Sequence, residues 1–233
     1  MESNIKKAFI LSAGTGERLK PFSNGIPKAL LKINGVEVLL TNIKNLREFS
    51  IEEFIIVINP KHKSKIKAFL KEYNIDLKVV INEFPERENG YSAFLLKDYI
   101  KENENFVIIM GDHLYEKKFV EEAIKKRGLI VDEIGKYIDK KEATKVYYEN
   151  GRIIKIGKKL KKFNAFDTGF IITDRKFIDC AIELEKKREK IKISEIIKRA
   201  KLEISKVSGY FWIDLDTLKD IERAKMFFQR TEQ

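Results

Sequence analysis

The sequence predicts a three-layer α/β/α fold on a mostly parallel, mixed sheet. Two observations carry this. Four short, continuous apolar runs, AFILS (8–12), FIIVI (54–58), LKVVI (77–81) and FVIIM (106–110), leave no polar face for solvent, as in strands buried on both sides. Between and after them stand segments with helical apolar spacing at 36–49, 62–73, 92–102 and 117–126. Strand and helix thus alternate four times, the pattern of a parallel sheet covered on both faces. At 233 residues, 43% of them hydrophobic, the chain is long enough to fill such a core.

After residue 127 the rhythm changes. Two alternating runs flank Glu149-Asn150-Gly151-Arg152, and Asn-Gly is a strong hairpin signal. AFDTGFIIT (165–173) reads as a further strand, with helices at 174–188 and 193–200. A short strand at 203–207 leads to GYFWIDLDT, and an amphipathic helix covers 217–229. No Gly/Ser linker, repeat or low-complexity tract divides the chain, so one domain of two halves is expected, about 1–127 and about 128–233.

The formal net charge is +11, from 47 Lys and Arg against 36 Asp and Glu. Such a surplus fits an anionic partner. The lysines are spread along the whole chain, however, and the Lys- and Glu-rich usage resembles the ion-paired surfaces of thermophile proteins. The single cysteine, Cys180, excludes an internal disulfide and lies in an apolar helical stretch, as a core thiol would. No run of 18 apolar residues and no signal-peptide core is present, so a cytoplasmic protein without a membrane segment is expected.

The segment LSAGTGERLKPFSNGIPKALL (11–31) follows the first strand directly. In an open parallel sheet, ligands bind beyond the carboxyl ends of the strands. Gly14 and Gly16 allow the backbone N–H groups of Ser12, Ala13 and their neighbours to approach phosphate oxygens. Arg18 adds a fork of donors, and Lys28 a point charge. The stretch is neither a P-loop, which needs G-x-x-x-x-G-K-[ST], nor a dinucleotide fingerprint, whose third glycine is replaced by Leu19.

Ala13, Gly14, Gly16, Arg18, Leu19 and Pro21, followed by Pro27, Lys28, Leu30 and Leu31, form the pattern A-G-x-G-x-R-L-x-P then P-K-x-L-L. This resembles the signature of the sugar-nucleotide pyrophosphorylases, or nucleotidylyltransferases, of the GT-A-like, Rossmann-like fold. The resemblance implies that the glycine loop and Arg18 hold a nucleoside triphosphate and that Lys28 contacts phosphate at the reacting centre. Phe22-Ser23 stands where the family has threonine after the proline.

Gly111-Asp112 ends the fourth strand, where an aspartate faces the ligand crevice. Mg2+ is usually held by one or two carboxylates together with substrate phosphates, so Asp112 is the expected ligand, helix capping being the plain alternative. FWIDLDT offers Asp214 and Asp216, two apart and on one side of an extended chain. The family's W-x-D element implies Asp214 as the second ligand, while Asp216 also suits a helix N-cap. His62 and His113, far apart in sequence, support neither a zinc site nor a Ser–His–Asp triad. His113 is expected beside the site rather than in it.

An acceptor phosphate monoester, with a second pKa of about 6, is already dianionic near neutral pH and needs no general base. Positive charge and alignment must do most of the work. Lys145 and Lys158 are the candidates for the acceptor phosphate, Lys158 being the better match to a family lysine at a turn. Lys159, Lys161 and Lys162 read as a solvated run.

NEFPERENGYSAFLL begins with Asn82 and carries Gly90, Tyr91 and Ser92, where Gly90 would let a base lie against the backbone and Tyr91 would border it or pack. Uridine- and thymidine-specific relatives carry Q-P-x-G-x-A-x-A near here, which this chain lacks. NGYS, MGDHLY, EATK, KIGK, DTGF and WIDLDT are together similar in order and spacing to the CTP:inositol-1-phosphate cytidylyltransferases. That resemblance implies CTP and a phosphorylated polyol as partners, Mg2+ as cofactor and Asp167, Thr168 and Gly169 in the polyol pocket. It also implies a stand-alone form of enzymes that make CDP-inositol for di-inositol-phosphate solutes. A homodimer is compatible with it.

Three other readings stay open. A phosphocholine or hexose 1-phosphate acceptor is one, with Phe163, Phe166, Phe170 and Trp212 as material for an aromatic cage. A glycosyltransferase using Asp214-x-Asp216 is another. A nucleic-acid binder exploiting the net charge is the third, and no recognised motif supports it.

Overall fold

The computed structural model describes residues 5–16, 19 and 25–231. Strand β1 (Lys7–Ser12) is buried throughout except at Ser12. A small antiparallel pair, β2 (Lys32–Ile33) and β3 (Val36–Glu37), precedes α1 (Val38–Arg47). Then follow β4 (Glu53–Ile58), α2 (Lys63–Glu72), β5 (Lys78–Ile81), α3 (Asn89–Phe94), β6 (Asn105–Met110), β7 (His113–Tyr115) and α4 (Lys117–Ile124). The second half comprises β8 (Gly128–Asp132), β9 (Lys145–Glu149), β10 (Arg152–Gly157), β11 (Ala165–Asp174), α5 (Arg175–Glu185), α6 (Ile193–Arg199), β12 (Ile204–Lys206), β13 (Trp212–Asp214) and α7 (Leu218–Thr231). Among the described residues no helix is long and apolar enough to cross a membrane.

The main sheet is mixed and runs β10-β9-β11-β6-β1-β4-β5, with β8 beside β11 and β12 beside β8. β6, β1, β4 and β5 are parallel neighbours, whereas β11 is antiparallel to β6, β8 and β9. The alternation of strand side chains divides the interior into two cores. Ala8, Ile10, Ile56 and Ile109 pack against α1, α2 and α4 on one face; Phe9, Leu11, Val57 and Ile108 meet α5 and α6 on the other. These are the three layers that the continuous apolar runs require. Burying a side chain of this size fully contributes roughly 1.5–3 kcal/mol, so the sheet centre dominates stability. A third cluster, around Phe211, Ile213 and Leu215, lies under α7. Cys180 is a buried free thiol.

The β9–β10 hairpin turns at Asn150 (φ 48°) and Gly151 (φ 73°), both left-handed as an Asn-Gly hairpin turn demands. The helix expected at 92–102 is different. It begins at Asn89, ends at Phe94, and gives way to a 3-10 turn, Lys97–Tyr99. The reason is tertiary. Arg175 Nη1 donates to the carbonyls of Lys97 and Ile100 at 3.0 and 2.9 Å, and Lys7 Nζ donates to the carbonyl of Tyr99 at 2.8 Å. Strands β2, β3, β7 and β8 were not anticipated from the sequence pattern.

Candidate active site

The residues beyond the carboxyl ends of β1 and β6 are brought together by one close contact. Gly111 N–H donates to the Leu11 carbonyl at 2.8 Å, and a Cβ at Gly111 would stand 2.6 Å from Ser12 Cβ. Only glycine lets the two strand ends approach so closely, and that approach sets Asp112 beside the glycine loop. The second carboxylate arrives on a two-stranded ribbon. β13 pairs antiparallel with β7, with Asp214 opposite His113, and Leu215 N–H donates to the Asp112 carbonyl at 3.0 Å. Thr217 and Asp220 then cap α7 reciprocally: Thr217 N–H donates to Asp220 Oδ2 at 2.8 Å, and Asp220 N–H to Thr217 Oγ1 at 3.4 Å. Thr217, not Asp216, thus serves as the helix cap.

Asp112, His113 and Asp214 offer ligand atoms that all lie within 4.8 Å of one another. Asp214 Oδ1 is buried and has no hydrogen-bond partner among the described residues. A buried carboxylate oxygen left unpaired is costly unless a cation or a proton completes it. The pair of carboxylates fits a hard divalent ion that takes its remaining ligands from phosphate and water. His113, expected beside the site, stands among the ligand atoms themselves: its Nδ1 lies 3.2 Å from Asp112 Oδ1, and its ring stacks on Trp212 at 6.0 Å and 7°. Trp212 Nε1 donates in turn to buried Asp132 Oδ2 at 3.0 Å.

Lys28 closes the cluster. Its ammonium donates to Asp112 Oδ2 at 3.0 Å and to Asp216 Oδ1. Asp216 is therefore engaged by Lys28, with Lys158 Nζ 3.9 Å away, and stands outside the Asp112, His113, Asp214 group. Burial alone would lower the Lys28 pKa, but Asp112, Asp214 and Asp216 outweigh it and raise the value well above normal. Asp112 is moved the opposite way: burial would raise its pKa, and Lys28 and His113 hold it far below the usual carboxylate range. Burial, with Asp112 alongside, raises Asp214 to about 7.

Two cavities open onto this cluster. The smaller, about 280 Å3, is lined by Ser12, Gly14 and Gly16 of the glycine loop. The larger, about 770 Å3, is lined by Lys158, Asp167 and Gly169 from the second half of the chain. Among the described residues, only Lys28 and Asp112 line both. The larger cavity carries eight residues with carboxylates against four lysines, Lys159 among them, a lysine that the sequence assigned to solvent.

The other sequence candidates divide sharply. Arg18 lies outside the described residues. Ala13 is buried and its carbonyl accepts from Asn59 Nδ2 at 3.4 Å. Asn82, Gly90, Tyr91 and Ser92 line neither cavity. Asn82 Nδ2 donates to Ser92 Oγ at 3.0 Å, and both are buried. The space that a Cβ would need at Gly90 is filled by the Ile191 carbonyl, 2.6 Å away, rather than left for a base. Tyr91 packs under Arg87 at 4.0 Å and against Phe94. Lys145 is buried and donates to the carbonyls of Lys141 and Lys158, both at 2.9 Å, so it braces the turn that presents Lys158 and does not line the cavity. Thr168 is fully buried; its hydroxyl donates to the Ile130 carbonyl at 2.7 Å and is occupied in the sheet.

Gly169 is required by the site's own packing. Its φ is +68°, and a Cβ would lie 2.9 Å from Met110 Cγ and 3.0 Å from the His113 ring. It sits where β11 changes register against β8, between Asp167 and Ile171. Gly169→Ala is expected to destabilise the protein by about 1–3 kcal/mol and to cut turnover by about tenfold or more as His113 is displaced from Asp112. Thermal melting and steady-state assays check both effects.

An α/β sheet with a glycine loop, a lysine and paired aspartates at its carboxyl edge defines a phosphate-handling transferase. The chain belongs to the nucleotidyl transferase family, whose model matches residues 7–231. It is 48% identical over 227 residues to the "Bifunctional IPC transferase and DIPP synthase" of Aquifex aeolicus, covering 97% of this chain and 53% of that protein. The protein of the same name from Archaeoglobus fulgidus is 40% identical over 220 residues, which is 94% of this chain and 43% of the relative. The chain thus spans about half the length of the curated relatives it matches. Among solved structures, the inositol-1-phosphate CTP transferase from T. maritima shares the fold with a TM-score of 0.85 at 24% identity, over 97% of this chain and 98% of that one.

Proposed function

We propose that this chain transfers a cytidylyl group from CTP to inositol 1-phosphate, giving CDP-inositol and pyrophosphate, with Mg2+ as cofactor. The observation that carries this reading is the meeting of two cavities at Lys28 and Asp112. A group transfer between two phosphates needs a donor site and an acceptor site that share one reacting centre. The described lining of the smaller cavity comes wholly from residues up to Asp112, which supports residues 1–127 as the nucleotide half and 128–233 as the acceptor half. The names of the relatives support the choice of substrates, and "DIPP synthase" supports a product used for a di-inositol-phosphate solute. A cytoplasmic site of action follows from dependence on CTP.

An oxygen of the acceptor phosphate attacks the α-phosphorus. The new P–O bond forms as the bond to the bridging oxygen breaks, and its electron pair leaves with pyrophosphate. Because the acceptor oxygen is already anionic, no base is required. Lys28, Lys158 and Arg18 offset the repulsion between the anions, and Lys28 holds the α-phosphate between the two cavities. Asp112 and Asp214 are the residues that would hold Mg2+, which when bound supplies Lewis-acid charge for phosphate oxygens. Asp216 positions Lys28. Asp167 lines the acceptor cavity next to Gly169 and accepts the Gly169 N–H at 2.9 Å, leaving its other oxygen for polyol hydroxyls.

The acidic lining suits a ring of hydroxyl donors. Of the four aromatics that the sequence offers for caging a quaternary ammonium, only Trp212 lines the larger cavity, which disfavours phosphocholine. Asp216 stands outside the Asp112, His113, Asp214 group, which disfavours a glycosyltransferase Asp-x-Asp metal motif. The test is pyrophosphate release with four nucleoside triphosphates against inositol 1-phosphate, glucose 1-phosphate and phosphocholine. CTP with inositol 1-phosphate should give the highest kcat/KM and require Mg2+; preference for UTP with glucose 1-phosphate would reject the assignment.

A further inference from the structure

The smaller cavity carries two cations that the mechanism above does not use. Lys61 and Lys65 line it together with Lys28, and Asp112 is its one carboxylate among the described residues. Lys61 lies in the turn after β4, and Lys65 in the first turn of α2. Asn59 accepts the Lys61 N–H at 3.2 Å, capping the 3-10 turn Pro60–His62, and its Nδ2 donates to the Ala13 carbonyl at 3.4 Å. This turn is therefore tied to the glycine loop. Lys65 faces the same cavity as Lys61, while Ile66 and Phe69 are buried on the core side.

Each amine already touches loop backbone. Lys61 Nζ donates to the Thr15 carbonyl at 3.3 Å, and Lys65 Nζ to the Gly25 carbonyl at 2.7 Å. An ammonium has three donors, so these contacts orient the two groups and leave capacity for other oxygens. Between them His62 is buried, and burial first, then Lys61 and Lys65, lowers its pKa to about 4. It remains neutral at physiological pH, in a pocket whose potential is positive.

In-line displacement decides what belongs there. If the acceptor oxygen enters from the larger cavity and the α-phosphorus lies between Lys28 and Asp112, the leaving oxygen must depart on the opposite side. That side is the smaller cavity. We propose that Lys61 and Lys65 bind the departing pyrophosphate, meeting the charge that develops as the α–β bridging bond breaks. The inference rests on the transfer reaction argued above. The two ammonium groups stay protonated throughout and carry no proton to the leaving group.

The test is calorimetric binding of inorganic pyrophosphate with Mg2+, together with product inhibition by pyrophosphate in the forward assay. Lys61→Gln and Lys65→Gln keep a donor for the loop carbonyls and remove the charge. Each should weaken pyrophosphate binding by about tenfold, the double variant more, with a shallower dependence of Kd on salt. The KM for the acceptor should stay within about twofold. Lys67→Gln, exposed on the same helix and outside the cavity, is the control. Unchanged pyrophosphate affinity in the double variant, or no saturable binding to the wild-type protein, would overturn the proposal. If instead the acceptor proves to be another phosphate ester, pyrophosphate binding and its dependence on the two lysines would persist, so the two failures are distinguishable.

Discussion

Asp112→Asn should abolish turnover, by about 1,000-fold or more, while leaving the protein folded. The first half of this expectation comes from the metal pair. Asp112 and Asp214 are the carboxylates whose oxygens converge, and removing one charge halves what the chain offers a divalent ion. A metal's contribution to a transition state of this charge is several kcal/mol, and about 4 kcal/mol is a factor of 1,000. The second half comes from the local geometry. Asparagine keeps an oxygen for the Lys28 ammonium or for His113, and Lys28 retains Asp216. Three carboxylates, Asp112, Asp214 and Asp216, crowd this point, and Asp112 helps to push Asp214 up to about 7. Loss of the Asp112 charge gives up the pairing with Lys28 and His113 but relieves Asp214, so the melting temperature should fall only modestly. The specific signature is the response to metal: CTP and Mg2+ together should raise the wild-type melting temperature and leave that of the variant nearly unmoved. Mg2+-dependent turnover within tenfold of wild type would show that other residues hold the ion.

The sequence reveals the parts of this molecule that depend on composition and conceals those that depend on facing. β1, β4, β5 and β6 are legible because most of their positions are apolar, and a run without a polar face can only be a covered strand or a short buried helix. The Asn150-Gly151 turn is legible because a left-handed pair of residues has few chemical solutions. The helix placed at 92–102 fails because Arg175, more than 70 residues away, takes the carbonyls of Lys97 and Ile100. The β7–β13 ribbon is invisible for a related reason. It is three residues on each strand, and its value lies in the register that sets Asp214 against His113. His113 follows Asp112 directly, but no spacing signal shows that its ring would join Asp112 and Asp214 as a candidate ligand. The sequence offers Gly90 for its backbone freedom, Lys145 for its charge and Thr168 by resemblance, and none of these grounds says what the folded chain packs against the residue. One packs on Ile191, one braces a turn and one is bonded into the sheet. Lys61 and Lys65 carry no sequence signal of a role, since only the folded glycine loop brings the Thr15 and Gly25 carbonyls beside them.

Lys28→Met should lose activity and stability together, and the two losses should respond differently to Mg2+. Lys28 lies among three carboxylates, and its side chain is 14% exposed. Methionine fills much the same volume without charge. Removing one member of a buried pair costs about 3–5 kcal/mol, an upper bound here because Asp112 is 34% exposed and screened in part by water. For a chain of this size that corresponds to a fall of roughly 2–4 °C in melting temperature per kcal/mol. Without the ammonium, the aspartates lose the cation that pairs with both Asp112 and Asp216, so a divalent ion gains in value. Mg2+ should therefore restore more stability to the variant than it adds to the wild type. Activity should not recover with it. Lys28 lines both cavities, and in the proposed reaction a point charge at that position would stabilise the transferring group itself. Losing one preorganised donor of this kind lowers kcat by about 100- to 1,000-fold. Melting curves with and without Mg2+, set beside kcat at saturating CTP, separate the two roles. Full recovery of kcat on adding Mg2+ would mean that Lys28 only neutralises the empty carboxylate cluster, and that the transferring phosphate is held elsewhere.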